Sequence, residues 1–131
     1  MLWALDHSPY PRQDAPTVSD RGYVHGADGI VVGHRYSLLG RVVFAQGSWV
    51  GVVHCQRIAT RQRPTAVGAT QIAALKQHAR RPRIITADSE YVTHEILDEA
   101  DDETRLLLRF KGNRKLFHAL PPKAPGQKGR S

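Results

Sequence analysis

One cysteine, Cys55, stands in 131 residues, which excludes an internal disulfide framework and any cysteine-based zinc cluster. No apolar run approaches the roughly 20 residues that a transmembrane helix needs. The N-terminus lacks a basic stretch leading into a long apolar core, so no secretory signal is legible. These absences point to the cytosol. The histidines lack HExxH or any other ligand spacing, so His25, His34, His54, His78, His94 and His118 read as surface or core hydrogen-bonding groups. The segment GSWVG is no nucleophile elbow, because Val50 stands where the pattern needs glycine. No phosphate-cradling glycine loop is present. Acids are scarce too, at 12 against 19 Lys and Arg. Half of them fall in one short window: Glu95, Asp98, Glu99, Asp101, Asp102 and Glu103.

What remains is a basic chain of net charge +7 with 40% apolar residues, long enough for one packed domain and too short for two. Such an imbalance, sharpened outside the acidic window, marks a polyanion-binding surface.

Met1 to Asp6 reads as a short strand. Ser8 to Gly29, with Pro9, Pro11 and Pro16 near its start, resists regular structure and reads as a long functional loop. Ile30 to Phe44 and Trp49 to Ala59 are rich in Val, Ile and Leu and form two antiparallel strands. Ala45-Gln46-Gly47-Ser48 connects them, and Gly33 and Gly40 mark bulges. After Arg63-Pro64, Thr65 caps a helix to about Ala79, whose stripe is Gly68, Ile72, Leu75 and Ala79, with Gln71 mostly off it. Arg83 to Asp88 is the next strand, Thr93 to about Ala100 a short helix with an acidic, solvent-facing surface, and Leu106 to Phe110 a further strand. Gly112-Asn113 then turns into Lys115 to Leu120. The domain spans 1–120, and the Pro/Gly/Lys-rich tail 121–131 has the composition of a disordered segment.

The element order, β-β-β-α-β-α-β, suits a mixed sheet with an antiparallel edge and a parallel half. Asp6 and Asp88 each close an apolar run, as residues do at the C-terminal end of a buried strand, where open α/β sheets place their chemistry. On neighbouring strands about 4.8 Å apart, two such carboxylates reach shared cations. Without more, a strand-end residue satisfying turn amides is the favoured reading of each aspartate, Asp88 as an Asx turn. His7 follows Asp6 directly and points to the opposite face of its strand.

The strings ALDHSPYPRQDAPTVSDRGYVHG, VVGHRYSLLG, VGATQIAALKQ, TADSEY and LLLRFKGNRKLF, in that order, resemble the DDE transposases of bacterial insertion sequences. The resemblance covers nearly the whole chain, and it implies a ribonuclease-H-like α/β fold in which the strands ending at Asp6 and Asp88 are neighbours. It implies that Asp6 and Asp88 are catalytic metal ligands for two magnesium (or manganese) ions that cleave and transfer DNA strands. Arg12 and Arg21 in the loop beside Asp6, and Arg109, Lys111, Arg114 and Lys115 around the Gly112-Asn113 turn, would contact DNA phosphates. The partners implied are transposon ends and target DNA, with a homodimer of the full-length protein, at the bacterial nucleoid. In that family a glutamate on a later helix completes the site. No acid follows Glu103, so the chain reads as a catalytic domain truncated before its C-terminal helix, with one apolar sheet face partly uncovered and no DNA cleavage of its own. Two other readings stay open: a non-catalytic nucleic-acid-binding remnant, and a nuclease of the same fold class.

Overall fold

The computed structural model describes residues 1–44 and 48–113. These residues form a six-stranded mixed sheet with two α-helices: β1 (Leu2–Pro11), β2 (Gly22–Gly26), β3 (Gly29–Phe44), β4 (Ser48–Ile58), α1 (Pro64–His78), β5 (Arg83–Ala87), α2 (His94–Leu97) and β6 (Thr104–Leu108). A single 3-10 turn, Ser89–Tyr91, follows β5. The linker 45–47, the segment Lys115–Leu120 and the tail 121–131 lie outside the described residues.

The sheet order is β2-β3-β1-β5-β6, with β4 also on β3. β1 occupies one edge of β3 from Gly33 to Arg41. β2 therefore pairs Gly29–Gly33 and β4 pairs Arg35–Phe44 in tandem along the other edge. β1–β5 and β5–β6 are parallel, giving the antiparallel meander and parallel half that the element order suggested.

The stretch from Asp6 to Gly29 needs two corrections. The segment after Asp6 is not irregular: β1 continues to Pro11 against β3, and β2 adds a strand before β3, so the order is β-β-β-β-α-β-α-β. The prolines are tolerated because β5 pairs β1 only as far as Leu5, which, among the described residues, leaves one edge of β1 without ladder bonds beyond that point. β2 arises from a hairpin whose two-residue loop, Ala27-Asp28, lies between the paired Gly26 and Gly29. Gly29 takes a φ of +122°, open only to glycine without strain.

Only one of the two glycines expected to mark bulges does so. The β3–β4 register shifts between Leu39 and Gly40, leaving Val53 as the extra residue. Gly33 stays in register with both Pro11 and Gly22, and a side chain there would meet the Tyr10 carbonyl.

One face of the sheet is the core. Trp3, Leu5, Leu39, Ile85 and Ala87 project from the strands onto Ile72 and Leu75 of α1, with Tyr91 and Ile96 closing the end. α1 begins at Pro64 with Arg63 as N-cap and no side-chain cap bond; proline at the first helical position replaces the expected Thr65 cap. Gln71, expected off the apolar stripe, is 1% exposed. Its carboxamide accepts the Ser37 hydroxyl at 2.6 Å and donates to the Ser37 carbonyl at 3.3 Å, so its burial is satisfied. The alternate residues Ile84, Leu107, Val50 and Val52 are exposed, and both described helices lie on the opposite, buried face. Among the described residues no helix is long and apolar enough to cross a membrane.

The acidic window is solvated only in part: Asp98, Asp101 and Asp102 are exposed, while four of the six acids have side-chain partners. Glu95 pairs with Arg63 and accepts from Thr65 Oγ1 at 2.9 Å. Lys76 Nζ sits 3.4 Å from Glu99 and 3.0 Å from Asp101, and Glu103 pairs with Arg81. The buried Arg83 completes this seam, donating to Thr104 Oγ1 at 3.0 Å and to the Lys76 carbonyl at 2.7 Å. That bond places a cation on an orphan carbonyl in the last turn of α1, where the helix dipole favours it. Four of the six acids thus tie α1 and the residues flanking it to the stretch from α2 to the start of β6.

Candidate active site

The last β1–β5 pair is Leu5↔Ala87. Asp6 and Asp88 are the next residue on each strand, so they stand level on adjacent parallel strands about 4.8 Å apart. Local sequence explains the position. The apolar runs Leu2–Leu5 and Ile84–Ala87 end there, and alternation sends Trp3, Leu5, Ile85 and Ala87 to the core and the two aspartates to the open face. Both aspartates are exposed.

Each carboxylate is half committed. Asp6 Oδ1 accepts the amide of His7 at 2.8 Å. Asp88 Oδ1 accepts the amide of Glu90 at 2.9 Å and caps the 3-10 turn, which is the Asx-type role its sequence context allows. Among the described residues no other hydrogen bond or ion pair engages either group, so the remaining oxygens are available to a ligand.

Tyr91 underlies the pair. It is fully buried, and α1 crosses it so closely that a methyl group on Gly68 would lie 2.9 Å from its ring and from Leu5. Its hydroxyl has no hydrogen-bond partner among the described residues; Ser37, close by, spends its proton on Gln71. Burial pushes the phenol up to about 12, and the charges of Asp6, Asp88 and Glu90 add to the shift. His7 packs edge-on against Tyr91, with ring centroids 5.9 Å apart, and its Nε2 lies 3.4 Å from Glu90. His7 thus turns to the core side, away from Asp6, as strand alternation requires.

The basic residues divide. The amide of Arg109 donates to the Ala87 carbonyl at 3.2 Å, extending the β5–β6 ladder one step beyond Leu108. Asp6 within β1, Asp88 just past β5 and Arg109 just past β6 therefore stand in a row, and the exposed Lys111 follows two residues on. Arg12 and Arg21 do not lie beside Asp6. The continuation of β1 carries Arg12 six residues further, on the order of 20 Å at about 3.3 Å per residue. There Arg12 stacks over the Tyr10 ring at 4.1 Å, and Arg21 holds the carbonyls of Arg12 and Pro16 at 3.0 and 3.3 Å. Arg114 and Lys115 lie outside the described residues.

The neighbouring Ser19-Asp20-Arg21 segment is a loop latch. Asp20, at φ 56°, accepts the Thr60 amide at 3.0 Å and pairs with Arg57 at 3.2 Å. The Thr60 bonds, then Arg57, hold its carboxyl below the usual range. The Ser19 carbonyl meets His34 Nε2 at 3.2 Å.

Among the described residues no group of three or more His, Cys, Asp or Glu side chains is arranged to hold a metal ion. The sequence reading missed Tyr91 and Gly68 as parts of this region; the close spacing of Asp88 and Tyr91, with a glycine inside a helical stripe, was the available signal. Comparison with protein-family models, characterised proteins and solved structures returns no match.

Proposed function

We propose that this chain is the ribonuclease-H-like core of a DDE-type transposase, in which Asp6 and Asp88 hold magnesium or manganese against a DNA phosphodiester. The observation that carries this reading is the level placement of two exposed carboxylates where the parallel pairing of β1 with β5 stops, with Arg109 beside them. The net charge of +7 supports a polyanionic substrate.

The donor set suits a hard cation in kind, since each carboxylate keeps one oxygen free. It falls short in number, so binding by the pair alone is weak. When bound, such a cation would supply charge relief at a phosphate and acidify an oxygen nucleophile. The chain's own residues do the rest. Asp6 and Asp88 fix the position of the cation. Arg109 and Lys111 hold phosphate without reading sequence, and Tyr91 keeps a neutral, buried floor beneath the carboxylates.

The test is a manganese titration of the whole chain, followed by calorimetry and electron paramagnetic resonance. Binding is expected in the wild type and lost in both Asp6→Asn and Asp88→Asn. Manganese binding of unchanged affinity in both variants sinks the proposal. A second reading, a non-catalytic nucleic-acid binder, is favoured by the lack of a three-member ligand group among the described residues. It requires DNA affinity that falls steeply with salt and is indifferent to chelators.

A further inference from the structure

Among the described residues the outer edge of β4 has no partner strand, for β4 pairs there with β3 alone. Free edges normally carry lysine, proline or inward charge that discourages pairing. From Trp49 to Gln56 this strand has no proline and no Lys, Arg, Asp or Glu. Trp49 is 72% exposed, Val50, Val52 and Val53 each more than half. In a chain of net charge +7, this is an uncharged strip on which two copies meet without repulsion.

The strip is also self-complementary. Val53 and His54 form one wall of a groove of about 330 Å³, whose other walls are Trp3, Leu75, His78 and Ala79. Trp49, Gly51 and Val53 lie on this same face by alternation. The strand thus carries a projecting indole and, four residues away, the mouth of an apolar groove. An antiparallel pairing about a two-fold axis through Gly51 sets Trp49 of each copy opposite Val53 of the other, as an isologous interface demands.

We propose that the β4 edge is a self-association surface, taken by β4 of a second copy, with each Trp49 covering the groove of its partner. The result is a sheet continuous across two copies, independent of the chemistry at Asp6 and Asp88.

Light scattering from low to high micromolar concentration is expected to give twice the 14.6 kDa of one chain. Trp49→Lys, at an exposed position and so with unchanged circular dichroism, is expected to weaken association by about 30-fold or more, the scale of an interface hot spot. An added Cβ at Gly51 meets nothing within 4 Å, so Gly51→Cys fits the strand. In a Cys55→Ser background it should form an intermolecular disulfide, since directly opposed residues have Cα atoms about 4.5–5.5 Å apart, inside the bridging range. A monomer at every concentration overturns the proposal. So does a dimer indifferent to Trp49→Lys, or one in which the Gly51→Cys chain does not cross-link.

Discussion

Asp6 and Asp88 stand one residue past the last paired rung of β1 and β5, and one oxygen of each is tied to a backbone amide. Structural and ligand-binding roles can therefore be separated at Asp88. Asparagine keeps the acceptor oxygen that caps the Glu90 amide, while alanine removes it. Asp88→Asn is expected to melt with the wild type, and Asp88→Ala to lose about 1 kcal/mol, the usual worth of such a cap. Both lose the manganese signal. Chemical denaturation beside the metal titration checks this. Equal stability of the asparagine and alanine variants would show that the Glu90 amide bond contributes nothing.

The strands and the long helix were legible because apolar residues recur at the right period, and the parallel pairing of β1 with β5 matches the element order. Three things were not. β2 hid between glycines, although Asp28-Gly29 is a hairpin signal. The length of β1 was masked by Pro9 and Pro11, which only a free strand edge makes acceptable. That length then displaced Arg12 and Arg21 from the neighbourhood of Asp6. The acidic window misled for another reason: its partners Arg63, Lys76 and Arg81 flank or sit on α1, and composition gives no hint that tertiary packing brings them to Glu95–Glu103.

Gly68 is a packing glycine. Alanine there gains about 1 kcal/mol of helix propensity, yet its methyl group would sit 2.9 Å from the Tyr91 ring and Leu5, and overpacking costs about 1–3 kcal/mol. Gly68→Ala is expected to lower the melting temperature slightly and Gly68→Val severely. Pairing Gly68→Ala with Leu5→Val should recover part of the loss, because the second change clears one of the two contacts. A stabilised Gly68→Ala protein would show that the helix can lift off the strand freely.

Lys76 and Asp101 make stability depend on pH at the acid end. The Lys76 hydrogen bond holds the Asp101 carboxyl down at about 2, and the Asp101 and Glu99 contacts raise the Lys76 ammonium. A depressed carboxylate contributes above its unfolded value near 3.9 and loses that contribution as pH falls towards its folded one. The raised ammonium contributes fully below its unfolded value and is lost only as pH rises past it. Urea midpoints are thus expected to decline between roughly pH 4 and pH 2. Lys76→Met should be less stable at neutral pH and show a flatter decline. An identical acid slope in the variant would remove Asp101 as the cause.

Tyr91 governs the alkaline end, with the opposite sign. Its phenol ionises near 12 in the folded chain, and near 10 once unfolded and in water. Between those values the unfolded state gives up the proton first, so stability falls as pH rises through that window. Tyr91→Phe removes the titration and also removes a buried hydroxyl that has no partner among the described residues, a group whose desolvation costs about 1–3 kcal/mol. The variant is expected to match or exceed the wild type at pH 7 and to resist alkali better. Its absorbance titration at the phenolate band should lack the component near pH 12. If Tyr91→Phe instead melts several degrees lower at pH 7, the hydroxyl is bonded in solution, and the floor beneath Asp6 and Asp88 is a polar link rather than an apolar one.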